Sequence, residues 1–272
     1  MRTVKSLRQA SEGYYQIVFV GDDGVTAPFR LSEDLVVEYR LLVGKSLEEP
    51  MFKRFLADLA IDGIYGQALR LIIKTPKTAA EIRTFLHAKT EDPDIAAKAF
   101  TKLAARGFID DRAYALTYFD YHFGIRREGP VKIAFDLDHK GVNREDIREA
   151  VGGATAALVE QNLEWLFAKK LPALTGKPKN GGLRAMKIHL YQKGYAPDAV
   201  SAFCAAREDR FATATEDTAL ATADLARIVR RFAGRTYGDY ERKTKIIQAL
   251  MNKGYRYETI KRVMERSQDN ES

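Results

Sequence analysis

The sequence predicts a mostly α-helical protein: tandem three-helix repeats forming an elongated curved array, preceded by a small β-containing N-terminal domain. Three observations predict it. One segment recurs, as KIAFDLDHKGV at 132–142, AMKIHLYQKGY at 185–195 and KIIQALMNKGY at 245–255. Its glycines lie 53 and 60 residues apart, the period of solenoids and tandem helical arrays. The first thirty residues instead carry β-branched and aromatic runs separated by turn residues.

Aligned on the glycine, the copies agree at four further positions. Eight residues before it stand Ile133, Met186 and Ile246, and four before it Leu137, Leu190 and Leu250. One after it come Val142, Tyr195 and Tyr255, and six after it Ile147, Val200 and Ile260. A fainter copy upstream uses Glu81, Ile82 and Leu86, then Lys89-Thr90 without the glycine. Such short helices cannot bury their apolar faces alone and must stack on neighbours.

At the N-terminus, Thr3 to Arg8 and Tyr14 to Val20 read as strands, joined to a third run, Val25 to Leu31, by the turn Gly21-Asp22-Asp23-Gly24. Pro28 demotes that third run to an edge or short strand. Ser32 reads as an N-cap, with Glu33 and Asp34 in the first turn of a helix through about Leu42. Val43-Gly44-Lys45 closes this unit, and Ser46 opens a long helical region with Pro50 in its early turns. Phe52, Phe55, Leu56 and Leu59 recur at helical spacing, as do Ile64, Ala68, Leu71 and Ile72, with a bend at Asp62-Gly63 and an end at Thr75-Pro76.

The first repeat opens with a capping box, Thr78 to Glu81, and its second helix with Asp92-Pro93. Gly107 stops that helix, Asp110 or Asp111 caps the next through about His122, and Gly129-Pro130 breaks the chain before the following helix. Tyr114, Tyr118 and Tyr121 share one face of their helix, for which core packing is favoured over base stacking. Gly141, Gly194 and Gly254 have the pattern of left-handed C-caps. Asn143 caps a short helix at 144–151, and Pro197 starts its counterpart. Longer third helices follow at Ala156 to Lys170, with Leu158, Leu163, Trp165 and Leu166, and at roughly Asp217 to Phe232. Leu174 to Gly182 reads as a flexible linker. These marks divide the chain into an N-terminal domain at 1–60, a connecting helix with module one at 61–125, and modules at 126–175, 176–235 and 236–272, the last truncated.

With 272 residues, 46% hydrophobic, the chain can bury a sizeable core. Its apolar runs fall far short of the roughly 20 residues a membrane helix needs, and no apolar segment follows the basic start MRTVKSLRQ, against a secretory signal. A cytoplasmic, reducing compartment fits the single Cys204, which reads as a small buried residue. The net charge of +7 fits an anionic partner. Residues 227–266 hold twelve basic residues against four acidic ones, and so carry all of the excess.

Enzyme signatures are missing: there is no phosphate-binding glycine loop and no nucleophile elbow. Asp136, Asp138 and His139 do not converge on a helix as metal ligands would, so neither metal nor cofactor is expected. Lys132, Asp136, His139 and Lys140 share one outward stripe while Val131, Ile133, Ala134 and Leu137 serve the core. The last lysine recurs as Lys193 and Lys253, where it also favours the helix dipole. The candidate partner-binding face comprises Arg126, Arg127, Lys132, Lys140, Lys193, Arg242, Lys245, Lys253 and Arg256.

The order of these signals resembles the RecX family of regulatory proteins, which modulate the RecA recombinase. The match rests on Gly107 to Ala115, Gly129 to Ile133, Leu137, Lys140-Gly141-Val142 and Glu145 to Ile147, and covers roughly residues 60 to 266. The resemblance implies a monomeric, non-enzymatic regulator that binds RecA, in its filament on single-stranded DNA, and modulates its ATPase and strand exchange in the direction of inhibition. Two other classes stand beside it: a module binding single-stranded or duplex DNA through the basic C-terminal repeats, and a helical interaction scaffold of another pathway.

Overall fold

The computed structural model of the chain describes residues 1–21, 24–233 and 236–269; the expected turn residues Asp22 and Asp23 and the basic Arg235 lie outside the described residues. It consists of two compact units, Met1–Tyr118 with Leu137–Ala150, and Phe119–Asp136 with Val151–Ser272.

In the first unit, β1 (Arg2–Ser11) and β2 (Tyr14–Gly21) form an antiparallel hairpin in which Val4 faces Phe19 and Leu7 faces Ile17. The expected third run is two strands, β3 (Gly24–Val25) and β4 (Phe29–Ser32), which interrupt at Pro28 and both pair with β2. α1 (Glu33–Glu38) stops four residues before Leu42. Ser46 does not open a helix; Ser46–Leu47 is β5, pairing with Arg2 and Thr3 of β1. The sheet covers Phe19, Phe52 and Phe55, whose rings meet edge to face at 5.2 and 5.4 Å.

α2 (Glu49–Lys74) runs unbroken through Asp62-Gly63, where a bend was expected. Asp62 is buried, and its carboxylate accepts from the Ser32 amide at 2.8 Å and the Ser32 hydroxyl at 2.7 Å. Lys102 lies 3.7 Å away. A polar residue that looked like punctuation is thus an anchor between α2 and β4. With its hydroxyl committed there, Ser32 gives α1 no side-chain cap.

α3 (Ala79–His87), α4 (Pro93–Ala105), α5 (Asp111–Phe119), α6 (Pro130–His139) and α7 (Arg144–Gly152) follow. Thr78 and Glu81 form both halves of the capping box, and Asp92 and Asn143 cap α4 and α7. The paired aspartates divide their work: Asp110 accepts from Ala113 to cap α5, while Asp111 accepts from Ala79 at the start of α3. α5 runs on into a π-helical stretch, Asp120–Ile125. The buried stripe here is Ala115, Phe119 and Phe123; Tyr114 and Tyr118 are half-buried and Tyr121 is exposed. Each of the two half-buried tyrosines sits one residue, about 100° of helix, before a stripe residue, at the edge of the buried face. Val131, expected in the core, is 56% exposed.

The second unit continues with α8 (Ala156–Lys170), α9 (Lys179–Gln192), α10 (Pro197–Ala205), α11 (Ala214–Ala233), α12 (Asp239–Lys253) and α13 (Tyr257–Asp269). Phe167 of α8 packs edge-on against Phe203 and Phe211. Leu158 and Trp165, by contrast, lie on the outer side of α8. Leu174 to Gly182 is not a linker: Leu174 is buried, and Gly181 and Gly182 are buried in the first turn of α9. A second core joins α11, α12 and α13 through Leu225, Ile228, Leu250, Ile260 and Val263. All twelve repeat positions aligned on the glycine are buried, none more than 8% exposed.

Candidate functional site

The repeat glycines sit at joints of one construction, in which the carbonyl end of one repeat helix docks on the amide end of an earlier one. All three are left-handed, with φ of 77°, 89° and 106° at Gly141, Gly194 and Gly254. Their next residues, Val142, Tyr195 and Tyr255, donate back to Leu137, Leu190 and Leu250, closing the C-terminal turn.

In the first unit the end of α6 meets the start of α3. The Thr78 hydroxyl donates to the Lys140 carbonyl at 2.7 Å, and Lys140 Nζ lies 3.2 Å from Glu81 Oε1. Burial acts to raise the Glu81 pKa, but the Thr78 amide and Lys140 outweigh it and hold the carboxyl below its ordinary range. Lys140 also lies over the Tyr114 ring at 5.8 Å.

In the second unit the end of α9 meets the start of α6. The Gly129 amide donates to the Lys193 carbonyl at 2.6 Å and the Val131 amide to the Gly194 carbonyl at 3.1 Å. A Cβ on Gly129 would lie 2.2 Å from the Gly194 carbonyl, and one on Gly194 2.2 Å from Lys132 Cβ. The Gly-Pro and Lys-Gly signals are therefore two halves of one contact. Beside it Glu128, 7% exposed, receives His122 Nδ1 at 2.6 Å, Lys132 at 3.2 Å and Arg126 at 3.6 Å. Burial opposes its ionisation, yet His122 and Lys132 draw its pKa below the ordinary value. Arg127, left-handed at φ 55°, donates to Asn162, which donates to the Phe123 carbonyl; Tyr195 donates to the Arg127 carbonyl at 3.2 Å.

The third joint, also in the second unit, sets the end of α12 on the start of α9. Arg184 donates to the Asn252 carbonyl at 2.7 Å, and a Cβ on Gly181 would lie 2.3 Å from the Lys253 carbonyl. Asp224 accepts from Lys253 at 2.7 Å and the Tyr255 hydroxyl at 2.8 Å. These bonds overcome its burial and lower its pKa. Asp217 accepts from the Lys179 amide at 2.8 Å, as Asp111 does from Ala79.

The nine candidate cations accordingly fall into two groups. Arg127, Lys132, Lys140 and Lys253 are engaged at joints; Lys132 also holds Asp136 at 2.7 Å, and Lys245 pairs with Glu241 at 3.4 Å and covers the Tyr237 ring at 4.8 Å. Arg126 and Arg256 are exposed, Lys193 and Arg242 half-exposed, Arg242 lying 3.8 Å from Asp239. Arg184 and Lys177 escaped the sequence reading. Arg184 stands in the slot held by Val131 in the copy before it and by Thr244 in the copy after it, so the repeat pattern carries no signal for it. Among the described residues no group of three His, Cys, Asp or Glu side chains could hold a metal ion, and no helix is long and apolar enough to cross a membrane.

Two family models match: RecX, second three-helix domain, over residues 110–151, and RecX, third three-helix domain, over residues 215–264. The chain is 24% identical over 259 residues to the regulatory protein RecX of Halalkalibacterium halodurans, covering 91% of this chain and 92% of the relative. With the regulatory protein RecX of Enterococcus faecalis it shares 26% over 237 residues, 85% of this chain and 86% of that one. A crystal structure of a regulatory protein RecX superposes with a TM-score of 0.62 at 20% identity, over 75% of this chain and 98% of the other. The matched domains contain the repeat segments of α6 and α12 with their joint glycines, and the likeness to relatives named regulatory protein RecX extends over most of both chains.

Proposed function

We propose that this chain is a non-enzymatic regulator that binds RecA on its single-stranded DNA filament and inhibits its ATPase and strand exchange, acting as a cytoplasmic monomer. The observation that carries the reading is similarity over most of its length to proteins named as regulators. Among the nine candidate cations, the side chains of Lys193, Arg242 and Arg256 take no part in the joints, and Arg126, although 3.6 Å from Glu128, keeps an exposed side chain. The test is pull-down of RecA with and without single-stranded DNA, together with RecA's DNA-dependent ATPase. Retention only when DNA is present, with falling turnover, is the expected result. Full ATPase at saturating amounts of this protein would refute it. A second reading, a nucleic-acid-binding module, draws on the basic excess of residues 227–266.

A further inference from the structure

We propose that the cleft at the joint of α9 and α12 binds the phosphates of a nucleic-acid strand. It deepens the nucleic-acid reading, and its test contains no RecA, so it stands or falls apart from the regulator reading. Four cationic side chains, Lys177, Arg184, Arg227 and Lys253, line a cleft of about 440 Å³ together with Asp224 as the one acid in its lining. Asp224 is already committed to Lys253 and the Tyr255 hydroxyl. The lining therefore carries a net charge of +3, and a cleft lined by one sign of charge concentrates its potential on a counter-ion.

The donors are arranged for an oxyanion. Arg184 is oriented by its bond to the Asn252 carbonyl, which uses one of the five N–H groups a guanidinium carries. Arg227 has a side chain 77% exposed and stands 3.7 Å from Asp224, and Lys177 is exposed. Two guanidinium forks with two ammonium groups match the charge-assisted, often bidentate way phosphate oxygens are held.

What selects a strand over a lone anion is the surface beyond the cleft. α11 buries Ala221, Leu225, Ile228 and Phe232, so Arg227, Arg230 and Arg231 lie on its outer side. Positions three and four apart are about 5–6 Å neighbours on a helix. A row of cations thus continues from the cleft along α11, where successive phosphates of one chain would lie.

The experiment is a fluorescence-anisotropy titration of labelled oligothymidine of about 20 nucleotides, a length that exceeds the site of a small single-strand binder. Lys177→Ala with Arg227→Ala removes two exposed cations and leaves the Arg184 and Lys253 joint bonds in place, so its melting curve should match the parent's. Affinity is expected to drop at least about tenfold at low salt, and the log–log salt slope to shrink by about 1.4, or 0.7 for each lost single-strand phosphate contact. Arg227→Lys should retain most of the binding. The pair Lys5→Ala with Arg8→Ala, exposed on β1, should bind like the parent. Equal affinity of the parent and the Lys177/Arg227 variant would overturn the proposal. Displacement of the oligonucleotide by inorganic pyrophosphate at matched phosphate concentration would overturn the assignment of a strand.

Discussion

Gly194 and Gly176 both hold a left-handed backbone, with φ of 89° and 80°, but only Gly194 is packed against another chain segment. A side chain at Gly176 meets open space, so Gly176→Ala should cost only the strain of positive φ, about 1 kcal/mol. Gly194→Ala adds a collision with Lys132 and should cost at least about 2 kcal/mol more. Urea unfolding of the two variants separates these contributions; equal losses would mean the joint yields. Glu128 offers a second residue-level test. Its folded pKa lies below the unfolded value of about 4.3, so its contribution is present above that value and is lost as pH falls through the folded value. Glu128→Gln should be less stable at neutral pH and show a flatter loss of stability below about pH 5. Melting temperatures across that range decide it. At this scale the sequence was legible wherever a residue serves its own helix: the twelve repeat positions are all core. The partners of Lys140 and Lys253 were not, because Glu81 and Asp224 are 59 and 29 residues away and meet them only through docking.

Helix starts here do more than start helices. Thr78 accepts from Glu81 and also donates to the Lys140 carbonyl, so one hydroxyl caps α3 and fastens α6 to it. Thr78→Val keeps the shape and removes both bonds; the expected loss is about 2 kcal/mol, with faster amide exchange at Glu81. A loss below about 0.5 kcal/mol would leave the joint to packing alone. Elements with their own punctuation, such as α4 between Asp92-Pro93 and Gly107, were read to within a residue or two. Two of the misreadings share a physical cause. Asp62-Gly63 and Gly181-Gly182 look like breakers because their local preference is for turns, yet each lies inside a helix where a tertiary contact needs a small or polar residue.

For the molecule as a whole, binding to a polymer of identical subunits favours contacts spread along the chain. Arg126 and Arg256 are exposed cations from different repeats. If the chain binds the RecA filament as proposed, Arg126→Glu or Arg256→Glu alone should weaken that binding modestly, while the pair should weaken it more than the product of the two, since a first contact raises the effective concentration of the second. Stability should change by no more than about 0.5 kcal/mol for either exposed site. Surface plasmon resonance on immobilised filaments reads the couplings, and strictly multiplicative effects would count against distributed engagement. Most of the elements were legible in the sequence; which cations face outward was not, because that depends on which acids the joints have already claimed.

The joints have a direction. Each carbonyl end settles on the amide end of an earlier helix, at α3, α6 and α9, whereas among the described residues none settles on α12, whose N-terminal Gly238 supplies no side-chain cap. The repeat series therefore behaves like a polymer with one living end. A tandem duplication of the segment from α9 through α11, inserted after α11, would give the copied α9 a seat on the original and seat α12 on the copy, leaving every upstream joint untouched.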